Sequence, residues 1–216
     1  SEENHFDRIG ARLHDAASPC FEQDVATICK GAAKKLAYVV IPKVESAFQL
    51  KGAIDIVQRH ASAAGRTDLP VHALIETHQA LHEVWTIAAM PEIECLSFGI
   101  MDFVSAHFGA IPAAAMRSPS QFTHPLVVRA KLEISAACHA HGKIASHNVT
   151  TDIKDLAVVA GDALHAKQEL GFGRMWSIHP DQIRPILDAY APDAGEVDEA
   201  LQILLAAQAQ NWGPIQ

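Results

Sequence analysis

The chain has 216 residues, 49% of them hydrophobic, enough to bury the core of one domain over residues 1–216. Its 17 Lys and Arg against 25 Asp and Glu give a formal net charge of −8 without any basic run, which argues against a nucleic-acid partner. Residues 1–4 are polar and acidic, and no stretch approaches the ~20 apolar residues that a membrane span needs. We therefore expect a cytoplasmic protein without a membrane partner.

Short β-branched and apolar runs alternate with longer segments of helical period, a pattern typical of βα units around a parallel sheet. The sequence predicts strands at Arg8–His14, Ala37–Pro42, Val71–Glu76, Glu94–Met101, Lys143–Asn148 and Arg174–His179. It predicts helices between them at Glu22–Lys35, Ala47–Ala64, Pro125–His141 and Ile153–Leu170. The last three helices are followed by glycines where helices commonly stop, at Gly65, Gly142 and Gly171. Two more helices are expected at about residues 180–210, namely Pro180–Tyr190 and Gly195–Gln210.

This order of elements fits two architectures, an open doubly wound sheet and a (β/α)8 barrel. No G-x-G-x-x-G or P-loop motif follows any predicted strand, so the open sheet lacks its usual phosphate-binding loop. The barrel is therefore favoured, although its closure requires eight strands and the sequence supplies fewer. Either two βα units are missing or the sheet is open.

The longest irregular stretch runs from Gly109 to Thr123 and contains Pro112 and Pro119. Connections of that length inside a domain are usually lids or binding loops. We therefore expect this segment to lie near a functional site.

Two acids stand at the carboxyl ends of consecutive predicted strands. Glu76 closes the third strand, and Asp102 directly follows the fourth. Because neighbouring strands lie ~4.8 Å apart, two such carboxylates can converge on one ion at the catalytic face of a barrel. Mg²⁺ is commonly bound in this way, with water and substrate oxygens completing its coordination. The alternative is that each acid caps the helix that follows it.

Arg12 lies in the first predicted strand among aliphatic neighbours, which suggests burial. A buried arginine needs a carboxylate or a phosphate in bidentate contact. That partner is either a substrate or an internal acid such as Glu45, and the residues alone favour the internal pair.

Histidine is frequent, and His78 and His82 stand four residues apart on a possible helix. A zinc protease motif needs glutamate where Gln79 stands, so solvated or hydrogen-bonded histidines are favoured over a zinc site. His139 and His141 lie at a helix end, where the helix dipole accounts for them.

The four cysteines form no C-x-x-C pair, so the sequence indicates neither a disulfide framework nor a thiolate zinc site. Free cysteines are among the most buried residue types. We expect all of them to be reduced core thiols: Cys20, Cys29, Cys95 and Cys138.

Five segments, in order along the chain between about residues 10 and 192, match motifs of one known family. They are Val39–Ser46, Ala73–Thr77, Ser97–Phe103, Thr151–Asp155 and Gly171–Ile183. Together they resemble the HpcH/HpaI aldolase and citrate lyase superfamily, specifically its citrate lyase β-like branch of CoA-ester lyases. The segment Ile178-His179-Pro180 favours that branch over the simpler pyruvate aldolases, and its expected role is positional.

The resemblance implies a (β/α)8 TIM barrel in which the visible strands are strands three to eight and the first two βα units are missing. It implies that Glu76 and Asp102 are catalytic ligands of Mg²⁺, with Mn²⁺ as the alternative metal, and that Glu76 also contacts substrate. Arg12-Leu13-His14 matches the family's Val-Arg-Ile-Asn strand. Arg12 is therefore implied to be a catalytic residue that binds a substrate carboxylate.

The activity implied is Mg²⁺-dependent cleavage of a 3-hydroxyacyl-CoA of the citryl-CoA or malyl-CoA type, which yields an acyl-CoA and an oxoacid. The expected partners are thus a small oxoacid and a CoA thioester, in a homo-oligomer that is a trimer or hexamer. The general base remains unassigned. Three alternatives stay open: a 2-oxo-3-deoxy acid aldolase that uses a metal without CoA, a malyl-CoA thioesterase, and a non-catalytic barrel subunit.

The sequence departs from the family pattern in two places. Members begin with two further βα units, the second ending in an Asp-Leu-Glu-Asp-like strand that faces the metal, and neither unit is found here. Strand seven usually ends in Ile-Asp-Gly-Val, where this chain has Ser146-His147-Asn148-Val149, with histidine in place of the acid. These departures weaken the assignment of the CoA-ester substrate more than the assignment of the metal ligands. Lys43 and Glu45 match a family motif and are interpreted as structural as readily as catalytic.

Overall fold

A computed structural model describes residues 8–214 of the chain and has an α/β fold with six parallel strands. The strands are β1 (Ile9–Arg12), β2 (Leu36–Ile41), β3 (Val71–Ile75), β4 (Ile93–Phe98), β5 (Ile144–His147) and β6 (Arg174–Met175). They follow one another in the sheet in chain order, which confirms the predicted succession of βα units. The polar, acidic start at residues 1–4 lies outside the described residues.

The helices pack around this sheet and agree with the predicted helices where those were long. Their bounds are α1 (Phe21–Ala32), α2 (Ala47–Ala63), α3 (His78–His82), α4 (Val84–Ala88), α5 (Ile100–Ser105), α6 (Pro125–Ala140), α7 (Leu156–Gln168), α8 (Ile183–Tyr190) and α9 (Ala194–Ala209). The predicted fourth strand was too long at its carboxyl end, because β4 ends at Phe98 and α5 begins two residues later. The predicted sixth strand was also too long, since β6 has 2 residues.

Glycines with a left-handed backbone terminate the three long helices α2, α6 and α7. Gly65, Gly142 and Gly171 have φ values of 80°, 63° and 70°, as their positions in the sequence predicted. After α2, the Arg66 N–H donates to the Ala61 carbonyl at 2.9 Å, which satisfies a carbonyl at the helix end. The glycines therefore let the chain turn back from each helix toward the next strand.

The sheet curls so that side chains from five neighbouring strands border one interior cavity of about 230 Å³. These side chains include Tyr38, His72, Ser97, Ser146 and Arg174. The Tyr38 and His72 rings stack at 3.8 Å between centroids, and His72 Nε2 lies 2.8 Å from a Glu94 carboxylate oxygen. The result is a curled half-barrel sheet, as in part of a TIM barrel.

The core lies between the convex face of the sheet and the helices. Every residue of β3 is buried, as expected for a parallel strand covered on both faces. From α2, Leu50, Ile54 and Val57 each have 0% exposure and face this layer. The sheet and the helices packed on it thus support the loops that follow each strand.

Residues 109–123 are less irregular than predicted, because they contain two 3-10 helical turns, Ala113–Met116 and Ser120–Phe122. Gln121 in this segment is fully buried. Arg117 and Ser118 border a surface cavity together with residues 150–154. The segment is therefore packed into the domain next to the loop after β5.

Of the cysteines, Cys29, Cys95 and Cys138 are buried and unpaired, as expected. Burial raises the pKa of the Cys95 thiol to about 11. Cys20 is exposed, so its assignment to the core was wrong. The reason is its position in the turn immediately before α1, outside the apolar face of that helix.

Helix α9 has no buried residue, and its five large apolar side chains are each about half exposed, namely Val197, Leu201, Ile203, Leu204 and Leu205. Within residues 8–214, no helix combines the length and the apolar character needed to cross a membrane.

Candidate active site at the carboxyl ends of the strands

Glu76 stands immediately after β3, and its side chain is 5% exposed. The backbone N–H of Lys43, in the loop after β2, donates to Glu76 Oε1 at 2.7 Å. Lys43 adopts a left-handed φ of 50°, which non-glycine residues seldom do. Lys43 thus contributes its backbone N–H to this site, and its positive charge also favours the ionised form of Glu76.

Asp102 lies in the first turn of α5, on the neighbouring βα unit, and its side chain reaches the Glu76 carboxyl. Neither acid caps a helix. The N-cap of α3 is Thr77, whose Oγ1 accepts from the Ala80 N–H at 3.1 Å, and the N-cap of α5 is Gly99. The capping alternative is thus wrong, and the two carboxylates lie close enough to interact electrostatically.

The two carboxylates border a cavity of about 150 Å³ at the carboxyl ends of the strands. Arg12 at the end of β1, Asn148 after β5 and Trp176 after β6 complete its polar and aromatic wall. The structure therefore brings together all three residues that the sequence singled out, Arg12, Glu76 and Asp102.

Arg12 itself differs from the sequence-based expectation in two respects. Its side chain is exposed, because the guanidinium extends from the end of an edge strand into the open cavity. Within residues 8–214 it forms no ion pair, and Glu45 is exposed and makes a backbone bond to Gln49 instead. The predicted burial and the internal Arg12–Glu45 pair were both wrong.

The electrostatics of the pair favour a bound cation. Burial raises the pKa of the Glu76 carboxyl above its usual range; the Lys43 N–H opposes this shift, and the Asp102 carboxylate adds to it. Two adjacent carboxylates, one of them buried, supply hard oxygen donors and uncompensated negative charge. Among residues 8–214 there is no group of three or more His, Cys, Asp or Glu arranged to hold a metal. The two carboxylates themselves are hard oxygen donors of the kind that Mg²⁺ takes, commonly one or two per ion.

Gly99 allows Glu76 to occupy this position. A Cβ on Gly99 would overlap Glu76 Oε2 and lie 2.6 Å from the Glu76 Cβ. Only a glycine therefore permits the buried carboxylate to lie against the start of α5. Gly99 and Lys43 were not identified from the sequence as site residues, although both belong to segments that match family motifs.

His147 does not occupy the site, although it stands where the family motif has an acid. It has 0% exposure and stacks on Phe122 with ring centroids 5.5 Å apart. Its neighbour Asn148 borders the cavity instead. The histidine that stands in place of the acid therefore packs against Phe122 and does not border the cavity. Asn148 is a residue of the cavity wall that the sequence analysis did not identify.

The remaining sequence candidates have structural contacts. His78 Nε2 bonds to the Ala106 carbonyl at 2.9 Å, and His139 Nε2 to the Gly171 carbonyl at 2.8 Å. His179 accepts from the Asp181 N–H and caps a 3-10 turn, Pro180–Gln182. In that turn the buried Gln182 donates to the Thr150 and Asp152 carbonyls at 2.9 and 3.0 Å. Through Gln182, the segment after β6 therefore holds the loop after β5 in place.

Comparison with known proteins identifies the family of this chain. Residues 5–180 match the model of the HpcH/HpaI aldolase/citrate lyase family. A citrate lyase from Burkholderia xenovorans LB400 is 50% identical, with a TM-score of 0.92, over 100% of this chain and 68% of that one. A citrate lyase beta subunit from M. tuberculosis, solved with oxaloacetate and magnesium, is 25% identical, with a TM-score of 0.67, over 85% of this chain and 73% of that one.

An L-malyl-CoA/beta-methylmalyl-CoA lyase of Rhodobacter capsulatus is 24% identical over 210 residues, which cover 93% of this chain and 66% of that protein. The chain thus spans about 66% of the length of this curated relative. The family match covers most of the present sequence, including the segments that carry Glu76 and Asp102. On these grounds the chain belongs to the HpcH/HpaI aldolase/citrate lyase family.

Proposed function

We propose that this chain carries the active site of a Mg²⁺-dependent carbon–carbon lyase, which cleaves a 3-hydroxyacyl-CoA of the malyl-CoA or citryl-CoA type to an acyl-CoA and an oxoacid. The observation that carries the proposal is the shared cavity of Glu76, Asp102 and Arg12. It places two anionic oxygen ligands beside a cationic group that has no ion pair among the described residues. The names of the Rhodobacter and Burkholderia relatives, which are lyases, support the same class of reaction.

Each residue of the cavity has a distinct role in the proposal. Glu76 and Asp102 hold the metal ion, and the Lys43 N–H keeps the Glu76 carboxylate turned toward Asp102. Arg12 binds the substrate carboxylate through a bidentate contact, which its planar guanidinium suits. When bound, Mg²⁺ supplies charge stabilisation for oxygens of the oxoacid unit. The ring of Trp176 covers one side of the cavity and limits the access of water.

We further propose that the six strands are strands three to eight of a closed (β/α)8 barrel. Their sequential order, their parallel direction and the curl of the sheet support this arrangement. Active sites of such barrels lie at the carboxyl ends of the strands, where this cavity is found.

The proposal is tested by incubating the protein with malyl-CoA or citryl-CoA in the presence and absence of Mg²⁺. The expected result is Mg²⁺-dependent formation of acetyl-CoA with glyoxylate or oxaloacetate in equal amounts. Free malate without glyoxylate would indicate a thioesterase, and cleavage restricted to free 2-oxo-3-deoxy acids would indicate an aldolase that does not use CoA. Absence of Mg²⁺ binding by calorimetry, together with absence of cleavage, would support a non-catalytic subunit.

A further inference from the structure

A network of buried polar side chains lies directly behind the candidate active site. Five residues with exposures between 0% and 3% form it, from the segment before α6, from α6 and α7, and from the end of β5: Gln121, Lys131, Asn148, Thr150 and Asp162. One of its members, Asn148, also borders the cavity of Glu76 and Asp102. The network therefore connects the interior of the domain to the site.

The Asp162 carboxylate fixes the orientation of the Gln121 amide. It accepts hydrogen bonds from Gln121 Nε2 at 2.9 Å and from Thr150 Oγ1 at 2.5 Å, and it also accepts from the Ser118 hydroxyl. Because an ionised carboxylate can only accept, Gln121 must turn its NH₂ group toward Asp162. Its Oε1 then faces the opposite way, where Lys131 Nζ donates to it at 3.0 Å. A flipped Gln121 would lose both partners.

The orientation of Gln121 in turn fixes that of Asn148. Gln121 Oε1 accepts from Asn148 Nδ2 at 2.9 Å, and the same NH₂ group donates to the Val149 carbonyl at 2.9 Å. Both N–H groups of the Asn148 side chain thus donate to acceptors of the protein. Its carbonyl oxygen, Oδ1, is buried and has no hydrogen-bond partner within residues 8–214.

Leaving a buried acceptor without a partner is costly, so such atoms in folded proteins usually have a reason. Here the same residue forms part of the active-site wall, so a small movement of that wall on ligand binding would bring Oδ1 to a donor on the ligand.

We propose that Asn148 is a substrate-binding residue whose Oδ1 accepts a hydrogen bond from the hydroxyl of the 3-hydroxyacyl substrate, with Gln121 as its positioning residue. This inference rests on the proposed lyase function. In the cleavage that function describes, the substrate hydroxyl becomes the carbonyl of the oxoacid product. A carbonyl offers no donor, so Asn148 binds the hydroxyl form more tightly than the carbonyl form.

The test uses two ligands that differ at one carbon, L-malate with a hydroxyl and oxaloacetate with a carbonyl. Each is titrated by calorimetry into the Mg²⁺-loaded full chain. In Asn148→Ala, malate binding should weaken about tenfold, as expected for the loss of one hydrogen bond, while oxaloacetate binding changes less than about twofold. If Asn148→Ala does not fold, Asn148→Gly is measured in its place.

The matched control is Thr150→Val, which removes a different hydrogen bond of the same network and does not border the cavity. It should lower the midpoint of thermal unfolding but leave the ratio of malate to oxaloacetate affinity unchanged. Equal weakening of both ligands in Asn148→Ala, or no weakening, would overturn the inference and leave the lyase function standing. A wild-type chain that binds neither ligand in Mg²⁺ would overturn the inference, whereas the lyase function is tested separately by cleavage of the CoA thioesters.

Discussion

At the scale of single residues, Glu76 is held by two backbone features of neighbouring loops. The Lys43 N–H donates to one of its carboxylate oxygens, and the absence of a side chain at Gly99 leaves room for the other. Asp102 approaches the same carboxyl from the first turn of α5. The pair is thus arranged before any ligand binds, which reduces the cost of ordering it on binding.

Removal of either carboxylate charge should abolish metal binding. Glu76→Gln and Asp102→Asn keep the side-chain shapes but lose an anionic ligand, so Mg²⁺ binding measured by calorimetry is expected to disappear. Turnover should fall at least ~10²-fold, because charge stabilisation in the transition state is lost. The control is Asp55→Asn, an exposed acid paired with Lys51 on α2. Unchanged Mg²⁺ affinity in either site variant would refute the assignment.

Arg12→Lys separates substrate binding from metal binding. Lysine keeps the positive charge but lacks the planar fork that binds a carboxylate through two hydrogen bonds. We expect the dissociation constant for oxaloacetate or glyoxylate to rise at least ~10-fold, while the Mg²⁺ affinity stays nearly constant. Arg59→Lys is the control, since Arg59 pairs with Glu22 on the surface. If Arg12→Lys binds the oxoacid as tightly as the parent chain does, then Arg12 does not bind substrate.

The sequence predicted this site only in part. Glu76 and Asp102 were singled out because acids at successive strand ends can converge in a parallel barrel, and the family resemblance then favoured a metal site over helix capping. The roles of Lys43 and Gly99 could not be predicted, because they depend on a backbone N–H and on the space beside a glycine. The burial of Arg12 was predicted wrongly, because aliphatic neighbours in the sequence do not show that a strand lies at the edge of its sheet.

At the scale of secondary-structure elements, α5 determines where Asp102 stands. The run Ile100-Met101 was interpreted as the continuation of β4, since apolar residues at the end of a strand resemble those at the start of a buried helix. The structure begins α5 after Gly99 and thereby places Asp102 in the first turn of this helix. The position of the boundary between β4 and α5 therefore determines where Asp102 lies in the site.

Gly99→Ala tests this junction between β4 and α5. The backbone at Gly99 has a φ of −96°, which alanine adopts freely, so the added methyl group acts through its overlap with Glu76. We expect Mg²⁺ affinity to fall at least ~10-fold, because Glu76 must move away from Asp102.

Gly52→Ala in α2 is the matched control, because nothing lies within 4 Å of a Cβ at that position. It should stabilise the protein by about 0.5–1 kcal/mol through helix propensity and leave Mg²⁺ binding unchanged. If Gly99→Ala and Gly52→Ala bind Mg²⁺ with equal affinity, then Gly99 does not shape the site.

At the scale of the whole molecule, the described sheet has two free edges. β1 pairs with β2 alone and β6 with β5 alone among the strands of residues 8–214. Unpaired strand edges promote association between chains, and a closed barrel removes them. The succession of parallel strands was predictable from the alternation of apolar runs, whereas closure was not, because it depends on strands that are not among residues 8–214.

The proposed barrel predicts that two further βα units will stabilise this chain. Two βα units of the kind that the family resemblance implies, about 60 residues, can be joined before β1. Since they would pair with the edges of β1 and β6, the midpoint of thermal unfolding should rise by about 2–4 °C for each kcal/mol gained. Light scattering should show less non-specific aggregation. A flexible Gly/Ser extension of equal length is the control, because it cannot pair with either edge. Equal midpoints and equal aggregation for the two extensions would show that the sheet does not close in this way.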